Sequence, residues 1–353
     1  MKFAKFAALL LLVSACASPA PTTETTAAPA PATTAAAPET VALTYRYQPD
    51  SQLAYRVQVD QEISIHAEGD AGSVGTGELP LDGDVQTAVE TLMSYQVFPG
   101  PIDGTTELVV TALFEDVAVT GTMNGEAFSP SQDDLGVSAM APIDATFIVD
   151  ETGKIVSSSL DGLGNVFTGG FQALQGLGQE NLSRPIGPRF PDRELSIGDS
   201  WTDEETVDGP SGPITTRSTH TVTGTEDVDG VETFVIESVA DVEAFEIDFT
   251  EIFRAMFQGM LSFDNGEGTD AVAEVIDQLE FRIAVAPSRA TATTWFDATA
   301  GLVRRAEMHS STALNMTFRG PDETTGEIVG FALEMDLDQS ARFDLESVAS
   351  PLG

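Results

Sequence analysis

The sequence predicts a mainly β protein, a β-rich α+β fold in which a large curved antiparallel sheet or half-barrel of long strands is covered by a few helices. Three observations predict it. Long segments alternate apolar and polar residues with period two, the mark of strands with one wet face. Asp-Gly and Asn-Gly pairs stand between such segments. Only two stretches, 163–177 and 251–281, break the alternation in a way that suits short helices.

The strands follow in order along the chain. Tyr55, Val57, Val59, Ile63 and Ile65 alternate with Arg56, Gln58, Asp60 and Glu62, and Val85, Val89, Met93, Tyr95 and Val97 repeat the pattern. The even positions from Leu302 to Phe318 are mostly apolar, opposite Arg305, Glu307, His309 and Asn315. From Val329 to Leu345, eight of nine successive odd positions are apolar, while Glu334, Asp336, Asp338, Arg342 and Asp344 fill even ones. Runs of this length exceed the usual strand of about five or six residues. They must twist and take up bulges, so one broad antiparallel sheet is expected.

Turn residues agree. Asp229-Gly230 sits between two alternating runs, and Asn124-Gly125 follows another, the two-residue chemistry of hairpins. Residues Ala145–Val156 and Ala292–Val303 share a strand, an Asp-x-Thr turn, a Gly and a return strand, a hint of an internal repeat. The helical stretches are rich in Phe and Met: Phe167 and Phe171 in the first, Phe253, Met256, Phe257, Met260, Leu261 and Phe263 in the second. Asp270 is placed to cap the last helix. Soft, adaptable side chains of this kind form a lid over an apolar sheet face, so Phe167, Phe171, Phe253, Met256, Phe257, Met260 and Leu261 are the expected ligand-lining residues. Residues 181–200, with three Pro and no periodicity, read as a connector.

The amino terminus has the three-part layout of an export signal. Lys2 and Lys5 precede the apolar run Phe6–Val13, which ends in Ser14 and Ala15. A run of about ten apolar residues is too short to span a bilayer, which takes about 20. Val13-Ser14-Ala15-Cys16 resembles the lipobox of bacterial lipoproteins. That resemblance implies cleavage before Cys16 and a diacylglyceryl group on its sulfur, with the membrane as a partner through the acyl anchor. Two acyl chains, at about 0.8 kcal/mol per buried CH₂, hold a protein on a bilayer without help from charge. Ala17–Thr40 is Ala, Pro and Thr apart from Ser18, Glu24 and Glu39, a composition that cannot bury a core. It reads as a disordered tether of at most roughly 70 Å. The expected layout is therefore a signal over residues 1–15, a tether over 16–42, a first half of the β-rich domain over 43–180, the connector over 181–200, a second half over 201–347 and a tail over 348–353.

Charge and composition exclude several classes. With 56 Asp and Glu against 16 Lys and Arg, the formal net charge is −40. Phosphate binding needs clustered cations, so nucleic acid is not an expected partner. A single Cys excludes a disulfide framework and a Cys-rich metal site. The acids are dispersed along strands and loops, which favours a surface built for solubility in salt over a face for cations or basic partners. Asp203-Glu204-Glu205, Glu226-Asp227-Asp229 and Asp133-Asp134 lack the loop spacing of an EF-hand, and no metal or cofactor is expected. No catalytic residues are expected either. His66, His220 and His309 stand far apart in sequence and read as solvent-facing, and there is no HExxH or Gly-x-Ser-x-Gly motif. Trp201 and Trp295 read as core pegs.

An export signal, a tether and a broad sheet with helices laid on it resemble the LolA/LppX-type envelope lipoprotein carriers, as does the turn in TWFDATAGLVRRAE (Thr294–Glu307). The resemblance implies a half-barrel whose concave face and helical lid enclose an apolar ligand, often an acyl chain. Two other functions fit the residues: a structural or protein-interaction module with a solid core, and an envelope hydrolase using two carboxylates on rigid strands.

Overall fold

The computed structural model describes residues 40–69, 82–135, 142–161, 187–209, 212–250, 278, 280–321 and 328–349. They form fourteen strands. In the first half these are β1 (Gln52–Gly69), β2 (Gly83–Pro99), β3 (Thr105–Met123), β4 (Glu126–Phe128), β5 (Ile143–Asp150) and β6 (Ile155–Asp161). In the second they are β7 (Ser200–Gly209), β8 (Gly212–Val228), β9 (Val231–Val242), β10 (Phe245–Asp248), β11 (Glu280–Val285), β12 (Ser288–Asp297), β13 (Leu302–Pro321) and β14 (Ile328–Ala349).

All pair antiparallel in one sheet of order β6-β5-β3-β2-β1-β14-β13-β12-β9-β8-β7. The sheet is not closed: among the described residues β6 and β7 are its edges. β4 pairs with β3, and the β10–β11 hairpin joins through β13. The first half meanders outward from β1 to β6, the second runs inward from β7 to β14, and the two halves meet where β1 pairs β14. The long strands take up their expected irregularities as register shifts at Ala54/Tyr55, Glu90/Thr91, Ile148/Val149, Val222/Gly224 and Trp295/Phe296. Both predicted two-residue turns are present. Asp229-Gly230 joins β8 to β9 with φ of 54° and 82°, and Asn124-Gly125 joins β3 to β4 with 53° and 78°, the doubly left-handed backbone that matches strand twist.

The covering helices are not supported. Among the described residues, helix is confined to α1 (Gln132–Leu135) and the single residue Thr250. Residues 163–177 and 251–277, with Asp270, lie outside the described residues. The helix expected to reach Phe281 does not: Glu280 and Phe281 belong to β11, paired to Arg319 and Phe318 of β13. A β-branched and aromatic run, Phe-Arg-Ile-Ala-Val, has the stronger preference for a pleated neighbour.

One end of the sheet is plugged by two extended segments. Val41 pairs with Leu195 as an isolated bridge, so residues 41–47 and 187–199 lie side by side. Tyr45 N–H donates to Glu151 O and Arg46 N–H to Gly301 O, which seats the first segment between the β5–β6 and β12–β13 turns. These are the two similar Asp-x-Thr turns. Their glycines are required: Gly153 (φ 85°) has the Tyr45 ring 2.4 Å from where a Cβ would stand, and Gly301 (φ 70°) has the Arg46 amide N at 2.5 Å. Behind them Leu43, Tyr45, Phe190, Leu195, Val222, Ile236, Phe296 and Val303 form one core cluster. Leu53, Tyr55, Val57, Tyr95, Val97, Leu108, Val110, Phe147 and Val149 form a second.

The four tyrosines of the chain all lie at this end. Tyr45 donates to Pro188 O and Tyr55 to Val303 O, each at 2.9 Å. Burial pushes the hydroxyls of Tyr45, Tyr47, Tyr55 and Tyr95 well above the ordinary phenol range; neighbouring tyrosines add to the shift for the first three. The unfolded chain titrates near pH 10. The neutral hydroxyls therefore contribute stability below about pH 10, and that contribution is lost as pH rises toward the folded-state values. Phenolate absorbance is expected to be absent from the native protein at about pH 11 and to appear in a single step with unfolding; a smooth titration centred near 10 would contradict the plug.

Candidate functional site on the apolar face of the sheet

Period-two alternation puts the odd residues of β1 and β14 on the same face, because Ile63 pairs Leu337, Ile65 pairs Met335 and Val57 pairs Phe343. The even residues of β13 join them: Leu314 pairs Met335 and Met316 pairs Leu333. Ile63, Val85, Val117, Val119, Met335 and Leu337 are buried there as a third core cluster, with Ile65, Val89, Phe114, Leu314, Met316 and Leu333 half-buried against them.

A row of polar and small residues crosses this face between the third cluster and the other two. Thr87 pairs Gln61, Gln61 pairs Gln339, and Gln339 pairs Ser310. The row continues through Ala290 and Ala240 to Ser218. Thr87, Gln61, Ser310 and Ser218 are all buried. Within it, Gln61 Nε2 and Gln339 Oε1 are enclosed and have no hydrogen-bond partner. An unmet donor and an unmet acceptor thus stand on directly paired residues. Leaving such groups unsatisfied costs about 1–3 kcal/mol each.

The opposite face is polar and charged. Arg56 on β1 is held by Glu90, Glu115 (2.7 Å) and Glu346 (2.5 Å) from three strands. Those three carboxylates raise its already high pKa further. Arg305 and Arg342 converge on Asp344 at 2.8 and 2.6 Å. Partial burial works against the Asp344 charge, but the two guanidinium groups prevail and hold its carboxyl below the usual range. A groove of about 460 Å³ crosses this face, lined by Gln58, Asp60, Thr291, Thr293, Glu307, His309, Ser340 and Arg342, with Ala292, Met308 and Ala341 between them. Arg342 reaches Glu307 at 3.4 Å across it. Its chemistry is that of a solvated polar surface. Among the described residues no group of three or more His, Cys, Asp or Glu is arranged to hold a metal ion.

Of the residues expected from sequence to matter, Cys16, Phe167, Phe171, Phe253, Met256, Phe257, Met260 and Leu261 lie outside the described residues. His66 and His309 are exposed, His66 bonding Asp82 at 2.6 Å. His220 corrects the expectation of a solvent-facing histidine. It is buried, with Nδ1 2.7 Å from Ser238 Oγ and its ring 5.0 Å from that of Trp201. Its strand position puts it on the apolar face, where an aromatic ring packs and a hydroxyl meets its nitrogen. Trp295 is buried on the polar side, donating to Glu226 at 2.8 Å beneath Arg305. Trp201 is half-buried against Phe190 and donates to Arg189 O.

Gln61 and Gln339 were not singled out by motif, but a signal was present. Residue 339 is the one odd position between 329 and 345 that is not apolar, and residue 61 is the one gap in the alternation from Tyr55 to Ile65. The two gaps are paired in space.

No protein-family model matches the chain, and no curated protein matches it. Among solved structures, one describing lipid–protein interactions in lipovitellin aligns at TM-score 0.38 and 10% identity, covering 87% of this chain and 26% of that one. An outer membrane channel from Pseudomonas putida F1 aligns at TM-score 0.20 and 8% identity, covering 85% and 97%. A Pseudomonas aeruginosa FadL homologue aligns at TM-score 0.13 and 11% identity, covering 84% and 90%. This chain spans about a quarter of the length of the lipovitellin chain, and at these scores and identities none of the three assigns it a family.

Proposed function

We propose that the chain is an exported, lipid-anchored envelope lipoprotein, non-catalytic, whose sheet receives a hydrophobic or amphipathic ligand, a lipid, on its apolar face. The observation that carries the ligand half is that face itself. It runs without an ionic residue from Ile65 and Met335 through Gln61 and Gln339 to Val57 and Phe343, on a sheet whose β6 and β7 edges are open among the described residues. Hydrocarbon laid along such a surface gains about 0.8 kcal/mol per CH₂ removed from water. The charged residues of the same strands, Arg56, Glu90, Arg305 and Asp344, are paired on the opposite face, which suits a body that stays in water while one side meets lipid. Support for the anchor is the Val13-Ser14-Ala15-Cys16 sequence and the Ala/Pro/Thr stretch behind it. On this reading Cys16 carries the acyl groups and the tether sets the distance to the membrane.

The test is native mass spectrometry of the full chain extracted from membranes in detergent. Two added masses are expected: a covalent one on Cys16, and a non-covalent one released by organic solvent. Cys16→Ser should remove the first and move the protein to the soluble fraction. A polypeptide free of any bound mass, on a fully packed core, would instead establish the scaffold or protein-interaction reading.

A further inference from the structure

We infer that Gln61 and Gln339 read the polar group of the ligand, and that this group is a hydroxyl on an uncharged lipid. The inference rests on the lipid-binding reading above and adds the chemistry of the head the lipid carries. Gln61 is 5% exposed, its Nε2 has hydrogens and no acceptor, and Oε1 of Gln339, its partner in the register, has lone pairs and no donor. A hydroxyl accepts and donates at once, so one O–H group takes the Nε2 hydrogen and gives its own to Oε1, meeting both amides.

Other heads fit less well. A carboxylate or phosphate only accepts, so it leaves Oε1 facing another acceptor. It also brings a negative charge among Thr87, Ser310, Ile63 and Leu337, the register neighbours of the pair, none of them cationic. Of the arginines on the central strands, Arg56, Arg305 and Arg342 are engaged by carboxylates on the other face, Arg304 is held by Asp297 at the β12–β13 turn, and Arg319 lies on the other face near the far end of β13. An ether or ester accepts from Nε2 but has nothing to give Oε1. An alkane meets neither atom. The hydrocarbon tail belongs beside the pair, along Ile63, Met335 and Leu337, the apolar cluster that begins one register step away.

Two probes of equal chain length separate the cases: dodecan-1-ol and methyl dodecyl ether, each displacing a fluorescent apolar dye from the full-length protein. The wild type is expected to bind the alcohol roughly tenfold more tightly than the ether, the worth of one well-made neutral hydrogen bond. In the Gln61→Leu/Gln339→Leu variant that preference should vanish, the alcohol losing both hydrogen bonds and the ether only the one it accepts from Gln61 Nε2. Gln339→Met, closer in shape and without the acceptor that tells the alcohol from the ether, serves as the second variant should the double one unfold. Equal binding of both probes by the wild type, as when the two amides bond each other, overturns the inference and leaves lipid binding standing. A preference that survives in both variants also overturns it. No binding of either probe removes the lipid-binding reading as well.

Discussion

Phe296→Ala is expected to lower the unfolding free energy by about 3–5 kcal/mol, the range for deleting a fully buried aromatic ring. Phe296 is 0% exposed. Its ring lies 4.7 Å from that of Phe190 and 5.4 Å from that of Tyr45, both edge-on, and Tyr45 and Phe190 are themselves 5.1 Å apart. These three rings belong to β12, to residues 187–199 and to residues 41–47, segments that share no local sequence contact. Removing the ring therefore leaves a cavity at the point where the two extended segments are fastened to the sheet. Strand alternation turns these consecutive aromatic side chains to opposite faces, Trp295 to the charged side and Phe296 to the plug, and the register shift beside them leaves Arg304 of β13 as the unpaired residue. Urea unfolding should show a lower midpoint with an unchanged slope. Phe98→Ala, at a side chain 37% exposed, is the control and should change stability by less than about 0.5 kcal/mol. A Phe296→Ala loss below about 1 kcal/mol would mean that the plug is not part of the cooperative core.

Strand identity and facing were legible in the residues because period two is a local property. The odd positions of β14 and the even positions of β13 fall on one face, and Asp229-Gly230 turns where Asp-Gly should. Partnership was not legible. Nothing in the local pattern says that β1, the first long strand, pairs along its whole length with β14, the last; that is a closure between chain ends, set by the meander of each half. The plug was missed for a related reason. Residues 187–199 have no periodicity, and the alternation of Val41, Leu43, Tyr45 and Tyr47 with Ala42, Thr44 and Arg46 is too short to name a partner, since each segment is held by single contacts to turns, such as Tyr45 to Glu151 and Phe190 to Thr152. His220 read as exposed because its strand, THTVTGTEDV, is polar on both faces, so alternation could not say which side was wet. The glutamine pair shows the converse. A break in a pattern is normally discarded as noise, yet the breaks at 61 and 339 coincide across two strands, which only pairing could reveal.

Asp297→Ala is expected to cost about 3 kcal/mol at pH 7 and less in acid. The carboxylate is 3% exposed. It accepts from the amides of Thr299 and Ala300 at 2.9 and 2.8 Å and from Arg304 Nε and Nη2 at 3.1 and 2.7 Å. Burial alone would raise its pKa, but these donors outweigh it, and the carboxyl is held below its ordinary value. Its folded-state pKa thus lies under that of the unfolded chain, near 3.9. The stability it supplies is fully present above about pH 5 and is lost as pH falls through the folded-state value. Removing one partner of a buried, hydrogen-bonded pair costs about 3–5 kcal/mol, and the lower end applies because the Arg304 side chain is 28% exposed. The similar turn at Asp150 separates charge from turn geometry. Asp150 accepts from the Thr152 amide and hydroxyl and from the Lys154 amide, without an arginine among the described residues in the Arg304 role. Asp150→Ala should therefore cost only about 1 kcal/mol, the worth of a capping interaction. Measured across pH 2–7, the Asp297→Ala and wild-type stability curves should draw together as pH falls through the folded-state value. A gap that stays constant over that range would show that turn geometry, and not the buried charge pair, is what Asp297 contributes.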